Sequence, residues 1–511
     1  MKKYKRIIAM VLSCALLAGF GNVQIEAAEK SDITFGADVG WLNQLENDGI
    51  TWVDDNGATT DALQLLKDKG VTAVRIRAFV KPDSTFEWTK PDGTTCMLGY
   101  ADTAGVLYTA ERADALGMDI DLVLHYSDHF ADPLYQDVPT QWADATAEEL
   151  EKYVYDYTYY IMNELKNRDI YPKWVEVGNE VNGGILYPYG SSTSNFQQLT
   201  DYLNCGYDAV KAVSPSSKVV THLANMGNYN VSVSDFTWFF DNFINEYGGK
   251  TDVLGMSYYP YWLKDNDIEG VTNTFYDLAN RYDKEVMICE TGGDETDADE
   301  THKILRQQIN ALNVIPGNKG VAIFYWEPEA NSSLVPDEYP LGATSKVDEN
   351  VFKFTSALDA FSCQPEFLDS EVSFEIKNIN SEKALNVSGG STNNLANIEQ
   401  YTYGEWNSQK WIFEKVDKDY YKIVNKNSQK VLDINAMSTE VGANCIQYEY
   451  NSGWNQMWKI EETEDGAYLI KNRLSGLYLG IKDASTDEDA LCVQMSNDGN
   501  DNIKWRLLVT E

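Results

Sequence analysis

The chain has 511 residues, enough for two or three domains, and its 43 % apolar content excludes global disorder. Asp and Glu outnumber Lys and Arg by 79 to 41, a net charge of −38 that repels phosphate backbones and anionic lipid, so nucleic acid and membrane surfaces are excluded as partners. Only four His and no CxxC pair exclude a His-rich metal site or a zinc cluster, while 13 Trp and 32 Tyr suit sugar rings and ordinary cores alike.

In chain order, Lys2, Lys3, Lys5 and Arg6 precede an apolar run from Ile7 to Phe20. This is the layout of a signal peptide over 1–28, cut near Ala27–Ala28, and it predicts a secreted, extracellular, soluble protein. Six cysteines remain beyond it: Cys96, Cys205, Cys289, Cys363, Cys445 and Cys492. Their pairing is not fixed by number alone.

Residues 29–361 alternate short β-rich apolar runs with longer amphipathic stretches. The predicted strands are Ile33–Val39, Ala73–Val80, Asp119–His125, Trp174–Glu180, Lys218–His222, Val253–Tyr258, Glu285–Glu290 and Gly320–Trp326. The clearest helices between them are Asp61–Lys69, Ala104–Leu116, Ala147–Arg168 and Thr301–Leu312. Eight such units match an α/β (β/α)8 TIM barrel; a doubly wound sheet would carry a glycine-rich phosphate loop after its first strand, and none is present.

Active sites of this barrel lie at the carboxyl ends of its strands. Strand four ends in Gly178-Asn179-Glu180, strand seven in Cys289-Glu290-Thr291, strand three in His125-Tyr126-Ser127-Asp128 and strand eight in Tyr325-Trp326-Glu327. A single strand-end Glu is often only a polar terminus. Two of them, on strands facing each other across the mouth, are what glycoside cleavage needs: one carboxyl to protonate the leaving oxygen and one carboxylate across the sugar. Asn179 is a neutral donor suited to a sugar hydroxyl. Glu290 stays ionised if Arg75 and a tyrosine hydroxyl point at it, and Tyr258 at the end of strand six is the expected tyrosine. Trp41, Trp262 and Trp326 are candidate sugar platforms, and Trp142 is balanced between platform and packing. Asp294, Asp297 and Asp299 after strand seven are read as a solvated acidic loop, with Ca²⁺ as the less favoured reading. No cofactor is required, because two carboxyls suffice for the chemistry.

The stretches FGADVGWLNQLENDG (35–49), DDNG (54–57), VTAVRIRAFV (71–80), LHYSDHFADP (124–133), WVEVGNEVNGGILYPYG (174–190), GMSYYPYW (255–262), VMICETGG (286–293) and FYWEPEA (324–330) together resemble glycoside hydrolase family 53, the arabinogalactan endo-β-1,4-galactanases. The resemblance implies that Glu180 is the general acid/base and Glu290 the nucleophile, with Asn179, Arg75, His125, Tyr258 and Trp326 lining the cleaved-sugar subsite. It departs from the family in one place: the loop after strand seven is short, where members usually carry a long one.

Beyond a linker at 362–369, residues 370–511 repeat with a period of 47: Ile376, Ile423 and Ile470; Asn378, Asn425 and Asn472; Leu385, Leu432 and Leu479; Gln400, Gln447 and Gln494; Trp411, Trp458 and Trp505. Three units of this length predict a closed threefold β-fold. QKW (409–411), QMW (456–458) and IKW (503–505) make it similar to the ricin-type β-trefoil lectins. By that likeness the sugar positions are Asn386 and Tyr401 in unit one, and Asp433, Tyr448 and Asn455 in unit two. Unit three, with Gly480 and Met495, has lost them. Unit two is the favoured binding unit. Cys445 and Cys492 occupy equivalent core positions on separate lobes and are expected to stay unbonded.

The reading is a monomeric secreted retaining endo-β-1,4-galactanase acting on galactan or arabinogalactan of the plant cell wall, with a module that binds galactose-containing polymer. The alternatives are a retaining endo-glycosidase on another β-linked polysaccharide, and a carbohydrate-binding protein with an inactive barrel.

Overall fold

The computed structural model describes residues 32–224, 226, 233–263, 266–362 and 367–511. The expected leader, Cys363 and half of the expected linker lie outside the described residues.

Eight parallel strands close a barrel: β1 (Thr34–Asp38), β2 (Ala73–Ala78), β3 (Asp119–Leu124), β4 (Trp174–Val177), β5 (Lys218–Leu223), β6 (Val253–Ser257), β7 (Glu285–Thr291) and β8 (Gly320–Trp326). Each pairs with its neighbours in sequence, and β1 pairs with both β8 and β2. Helices α1 (Ala62–Asp68), α2 (Thr103–Ala115), α3 (Ala147–Lys166), α4 (Phe196–Val213), α5 (Val233–Phe240), α6 (Ile268–Tyr282) and α7 (Ala298–Asn313) form the outer ring. Their starts obey local chemistry. Thr146 and Glu149 make a capping box on α3, and Asp61, Asp102, Asn195, Asp267 and Asp297 each accept a backbone N–H of the first turn. The eighth position holds only a 3₁₀ turn, Ser356–Phe361, packed on α7. A small sheet of Thr51–Val53, Thr59–Thr60, Thr344–Asp348 and Val351–Phe354, not expected from the sequence, flanks the barrel; its strands are too short for a periodic signal.

The barrel interior has two layers. The lower is apolar: Ala73, Trp174, Val220, Val253, Met287, Cys289, Ala322 and Phe324 form one buried cluster. Gly36 leaves room for the Phe324 ring, since a Cβ there would stand 2.1 Å from it. One pleat period further along the same strands the inward residues become Asp38, Arg75, Asp121, Glu176 and His222, all buried. This charged upper layer supports the mouth.

The C-terminal region is a twelve-stranded assembly, four strands per unit. Its symmetry is visible in the hydrogen bonds. The indole N–H groups of Trp411, Trp458 and Trp505 donate to the carbonyls of Leu385, Leu432 and Leu479 at 2.9, 3.1 and 3.1 Å. Gln400 reaches the carbonyls of Ser485 and Asp487, Gln447 those of Ser391 and Asn393, and Gln494 those of Ser438 and Glu440. Each unit thus ties to the one before it in a ring, which is why all three are needed. Ile398, Cys445 and Cys492 are fully buried. The two thiols are free, but they are neighbours in hydrogen-bonding contact rather than far apart on separate lobes, because equivalent positions meet at the threefold axis.

The trefoil packs on α6, α7 and the turn after α7. Tyr468 Oη donates to the Val314 carbonyl at 3.0 Å, Arg506 Nη1 lies 2.9 Å from Asn273 Oδ1, and the Gly317 N–H donates to Glu462 at 2.7 Å. Arg306 of α7 pairs with Asp369 in a buried contact.

Candidate functional site

Strand alternation and its interruptions place the functional side chains. On β4, Trp174 and Glu176 face inward; then Gly178 (φ 81°) and Glu180 (φ 49°, ψ 53°) turn the backbone left-handed and swing Asn179 and Glu180 over the mouth. On β7, Met287 and Cys289 face inward, so strict alternation would turn Glu290 out. A register shift between Ile288 and Thr291 corrects this, and Glu290 comes level with Ser257 of β6. Glu180 and Glu290 line one cavity of about 300 Å3 with Trp326, His125, Tyr259 and Asn179.

The two carboxyls sit in different surroundings. Arg75 Nη1 is 2.9 Å from Glu290 Oε1, and Tyr259 Oη donates to Glu290 Oε2 at 3.0 Å. Arg75 is itself buried and anchored, donating to Asp38 at 2.7 Å, to both oxygens of Glu176 at 2.6 and 3.0 Å, and to Asn179 Oδ1 at 2.7 Å. Burial works against its charge, but the carboxylates of Glu176, Glu290 and Asp38 outweigh it and raise the guanidinium well above its usual range. Among the described residues no cation is in contact with Glu180; Ser257 Oγ donates to its Oε1 at 2.6 Å. Burial and the facing charge of Glu290 push its pKa up to about 7, against the pull of His222 and Ser257. One carboxyl therefore faces a cation and a phenol, and the other holds its proton up to about pH 7, the asymmetry that two-carboxyl catalysis requires.

The predicted tyrosine is corrected. Tyr258 is buried on the outer side of β6 with its hydroxyl bonded to Asn266, and the residue at Glu290 is Tyr259. Ser257 faces the mouth, so with period two the next inward residue is Tyr259. His125 is in place: its Nδ1 accepts the Ala131 N–H at 3.0 Å. Burial, with Arg75 and Arg77 nearby, drives its pKa well down, so the ring is neutral with its proton on Nε2 at the cavity. Asn179 donates from Nδ2 to the Ala131 carbonyl at 2.8 Å, leaving one amide hydrogen unused by this bond.

Trp326 is half-buried on the cavity wall, edge-on to Tyr339 at 4.6 Å and to Trp41 at 4.8 Å. Trp41 also lines this cavity, but it is 1 % exposed: its indole N–H donates to the Met97 carbonyl at 2.7 Å, and it backs Trp326. Trp262 is 57 % exposed at the rim. Trp142 packs on Tyr153 and Tyr157 and is core. Asp294 and Asp297 spend an oxygen each on the backbone N–H groups of Thr296 and Glu300.

The buried layer beneath the mouth was missed by sequence reasoning apart from Arg75. Burial and the charge of Glu176 raise Asp121 well above the carboxylate range, so it is the neutral member of the pair. Burial and the charge of Glu327 likewise raise Glu329 well above the carboxylate range, while Glu327 accepts Arg77 and the Trp41 N–H. Arg77 lies 4.8 Å from the Phe130 ring. The clue in the sequence was the inward parity of Asp38, Arg75, Asp121, Glu176, His222 and Ser257.

In the trefoil, a cavity of about 480 Å3 opens at unit one between Asn386, Glu399, Tyr401, Trp406 and Asp489. Tyr401 and Trp406 stand 5.8 Å apart. In the favoured unit two, Asp433 is buried and engaged on both oxygens, by Asn455 Nδ2 and Gln456 Nε2 at 2.7 Å each. Tyr448 is half-buried, opposite Val431 on the neighbouring strand. Met495 of unit three contacts Asn502 through sulfur, with no carboxylate.

A parallel eightfold barrel with two differently tuned carboxyls in its mouth, carrying a threefold lectin-like domain, is the architecture of a glycoside hydrolase. The profile of the family described as "Glycosyl hydrolase family 53" matches residues 34–363, and the chain belongs to that family. A second profile, "Ricin-type beta-trefoil lectin domain-like", matches 366–448 and 454–511. The chain is 31 % identical over 355 residues to the "Arabinogalactan endo-beta-1,4-galactanase" of Cellvibrio japonicus, covering 63 % of this chain and 86 % of the relative. It is 27 % identical over 351 residues to the "Endo-beta-1,4-galactanase" of Bacillus subtilis, covering 64 % and 75 %. Among solved structures it is similar to the Ignisphaera aggregans GH53 catalytic domain, with a TM-score of 0.57, 28 % identity, and 66 % and 98 % of the two chains covered.

Proposed function

We propose that this protein is a secreted endo-β-1,4-galactanase that cleaves β-1,4-galactan with retention of configuration. Glu180 protonates the leaving oxygen while Glu290 attacks the anomeric carbon, giving a glycosyl ester on Glu290 and a released chain end. Glu180, now ionised, takes a proton from water, the water attacks the ester, and Glu290 leaves as the carboxylate. Trp326 stacks on the sugar being cleaved, and Asn179 and His125 offer N–H groups to its hydroxyls. Trp262 extends the platform along the groove. The carrying observation is the asymmetric pair itself: Arg75 and Tyr259 on Glu290, and the Ser257 hydroxyl on Glu180. The names of the Cellvibrio and Bacillus relatives support galactan as the polymer. The basic flank and apolar run of 1–28 support export, and N-terminal sequencing of protein from culture medium tests it.

The deciding assay measures reducing-sugar release from purified galactan, mannan, xylan and β-glucan. Galactan is expected to be cut fastest, with the β-anomer as the first product by proton NMR. No release from galactan rules out the substrate, and a first product of α configuration rules out retention. Glu290→Gln is expected to lower kcat by roughly a thousandfold or more; parental rates in that variant would remove the catalytic assignment.

The trefoil holds the enzyme near galactose-containing polymer, through the cavity at unit one. Trp406→Ala is expected to abolish most of the retardation of the protein in galactan-containing native gels, while Asp433→Ala has the smaller effect. The reverse order would return the site to unit two.

A further inference from the structure

Behind Glu180 runs a chain of hydrogen bonds that the reading above leaves unused. Ser257 Oγ lies 2.6 Å from Glu180 Oε1 and 2.8 Å from His222 Nε2. His222 Nδ1 lies 2.8 Å from Glu176 Oε2 and 3.1 Å from Asn179 Oδ1. All of these groups are buried except Glu180, whose carboxyl reaches the cavity.

Asn179 Oδ1 already accepts from Arg75, and Glu176 is held as the carboxylate by the two-pronged contact with Arg75. Both groups facing Nδ1 are acceptors, so Nδ1 carries a hydrogen. The second ring nitrogen is settled by charge: the buried Glu176 carboxylate, 2.8 Å from Nδ1, raises the His222 pKa above its usual value, and the ring is an imidazolium with a hydrogen on Nε2 as well. Nε2 then donates to Ser257 Oγ, and the one serine hydrogen is directed at Glu180 Oε1. The groups facing it agree. Glu176 on β4 and Glu290 on β7 favour the cation, Arg75 on β2 opposes it, and Asp121 on β3 and Cys289 on β7 are neutral, as is His125 on β3. Burial lowers the His222 pKa, yet Glu176 outweighs burial and the net direction is up.

We propose that Ser257 and His222 are positioning residues for the acid/base: the imidazolium, anchored by Glu176, aims the serine hydroxyl at Oε1, so that Glu180 carries its proton on Oε2. The inference rests on the reading of Glu180 as the acid/base. The proton moves from Oε2 to the leaving oxygen as the first bond breaks, and returns to Oε2 from water in the second step. Ser257 and His222 gain and lose nothing. They keep one oxygen as an acceptor and stabilise the carboxylate formed after transfer through a hydrogen bond backed by a cation.

The experiment compares kcat/KM for galactan and for 2,4-dinitrophenyl β-galactobioside, whose leaving group departs without a proton, from pH 5 to 9 in the full-length protein. Ser257→Ala is expected to lose about tenfold or more on galactan and less than about threefold on the aryl glycoside. The hydroxyl favours ionised Glu180, so its removal moves the alkaline limb of the galactan profile to higher pH. His222→Gln, which keeps an N–H for Ser257 but no charge, moves the limb the same way. Equal losses on both substrates with an unmoved limb in Ser257→Ala would mean a purely structural serine and overturn the inference. Glu180→Gln separates the two levels: loss on galactan with the aryl glycoside retained upholds Glu180 as the acid whatever Ser257 does, and equal loss on both removes that reading and the inference with it.

Discussion

At the residue scale, Glu180 shows how a site is built against stability. Its pKa stands at about 7, above the ordinary value of 4.5, because burial and Glu290 disfavour its charge. The folded state therefore binds more protons than the unfolded chain between these two values, and stability falls as pH rises through that window. The penalty is absent below the unfolded value and complete above about 7, where a shift of this size corresponds to at most about 3 kcal/mol. Glu180→Gln, still able to accept from Ser257, is expected to be more stable than the parent at pH 8 and equal to it at pH 4.5 in urea unfolding. Equal stability at both would mean that the carboxyl is not held protonated. By the same sign, galactan cleavage, which needs the protonated form, is expected to decline as pH passes about 7.

At the scale of elements, strand parity and its breaks decide which side chains meet. On β6 the inward set is Val253, Gly255 and Ser257, and Tyr259 continues it, while Tyr258 points away. On β7 a bulge is needed before Glu290 joins the same space. Tyr259→Phe removes a hydroxyl donated to a carboxylate, worth roughly 1.5–3 kcal/mol, and is expected to lower kcat/KM on galactan about 10- to 100-fold. Tyr258→Phe is expected to change it less than about threefold and to cost only stability. A larger effect at Tyr258 than at Tyr259 would reverse the assignment. The parity of Ser257 was readable in the sequence and points to Tyr259; the bulge was not, since nothing in Met287-Ile288-Cys289-Glu290 marks where pairing slips.

At the scale of the whole molecule, barrel and trefoil share a face made by α6 and α7. Arg306 and Asp369 are paired there out of water, with Asn310 beside them. Removing one partner strands the other charge, a loss of about 3–5 kcal/mol. Arg306→Ala is expected to divide a single calorimetric unfolding transition into two, as the trefoil uncouples from the barrel. One unaltered transition would show that this pair does not join them. The contact also sets the lectin-like domain beside the barrel on its α6–α7 flank.

The barrel, the threefold repeat and the two glutamates were legible in the sequence because each is a periodic or positional property: period two along strands, 47 along the repeats, and a carboxylate at two strand ends. What only the folded chain decided was the environment of each group. How far each Trp is exposed, which tyrosine meets Glu290, and which of several buried carboxyls stays neutral all depend on distances between residues remote in sequence. Electrostatics and close packing act through those distances, and local pattern carries no record of them.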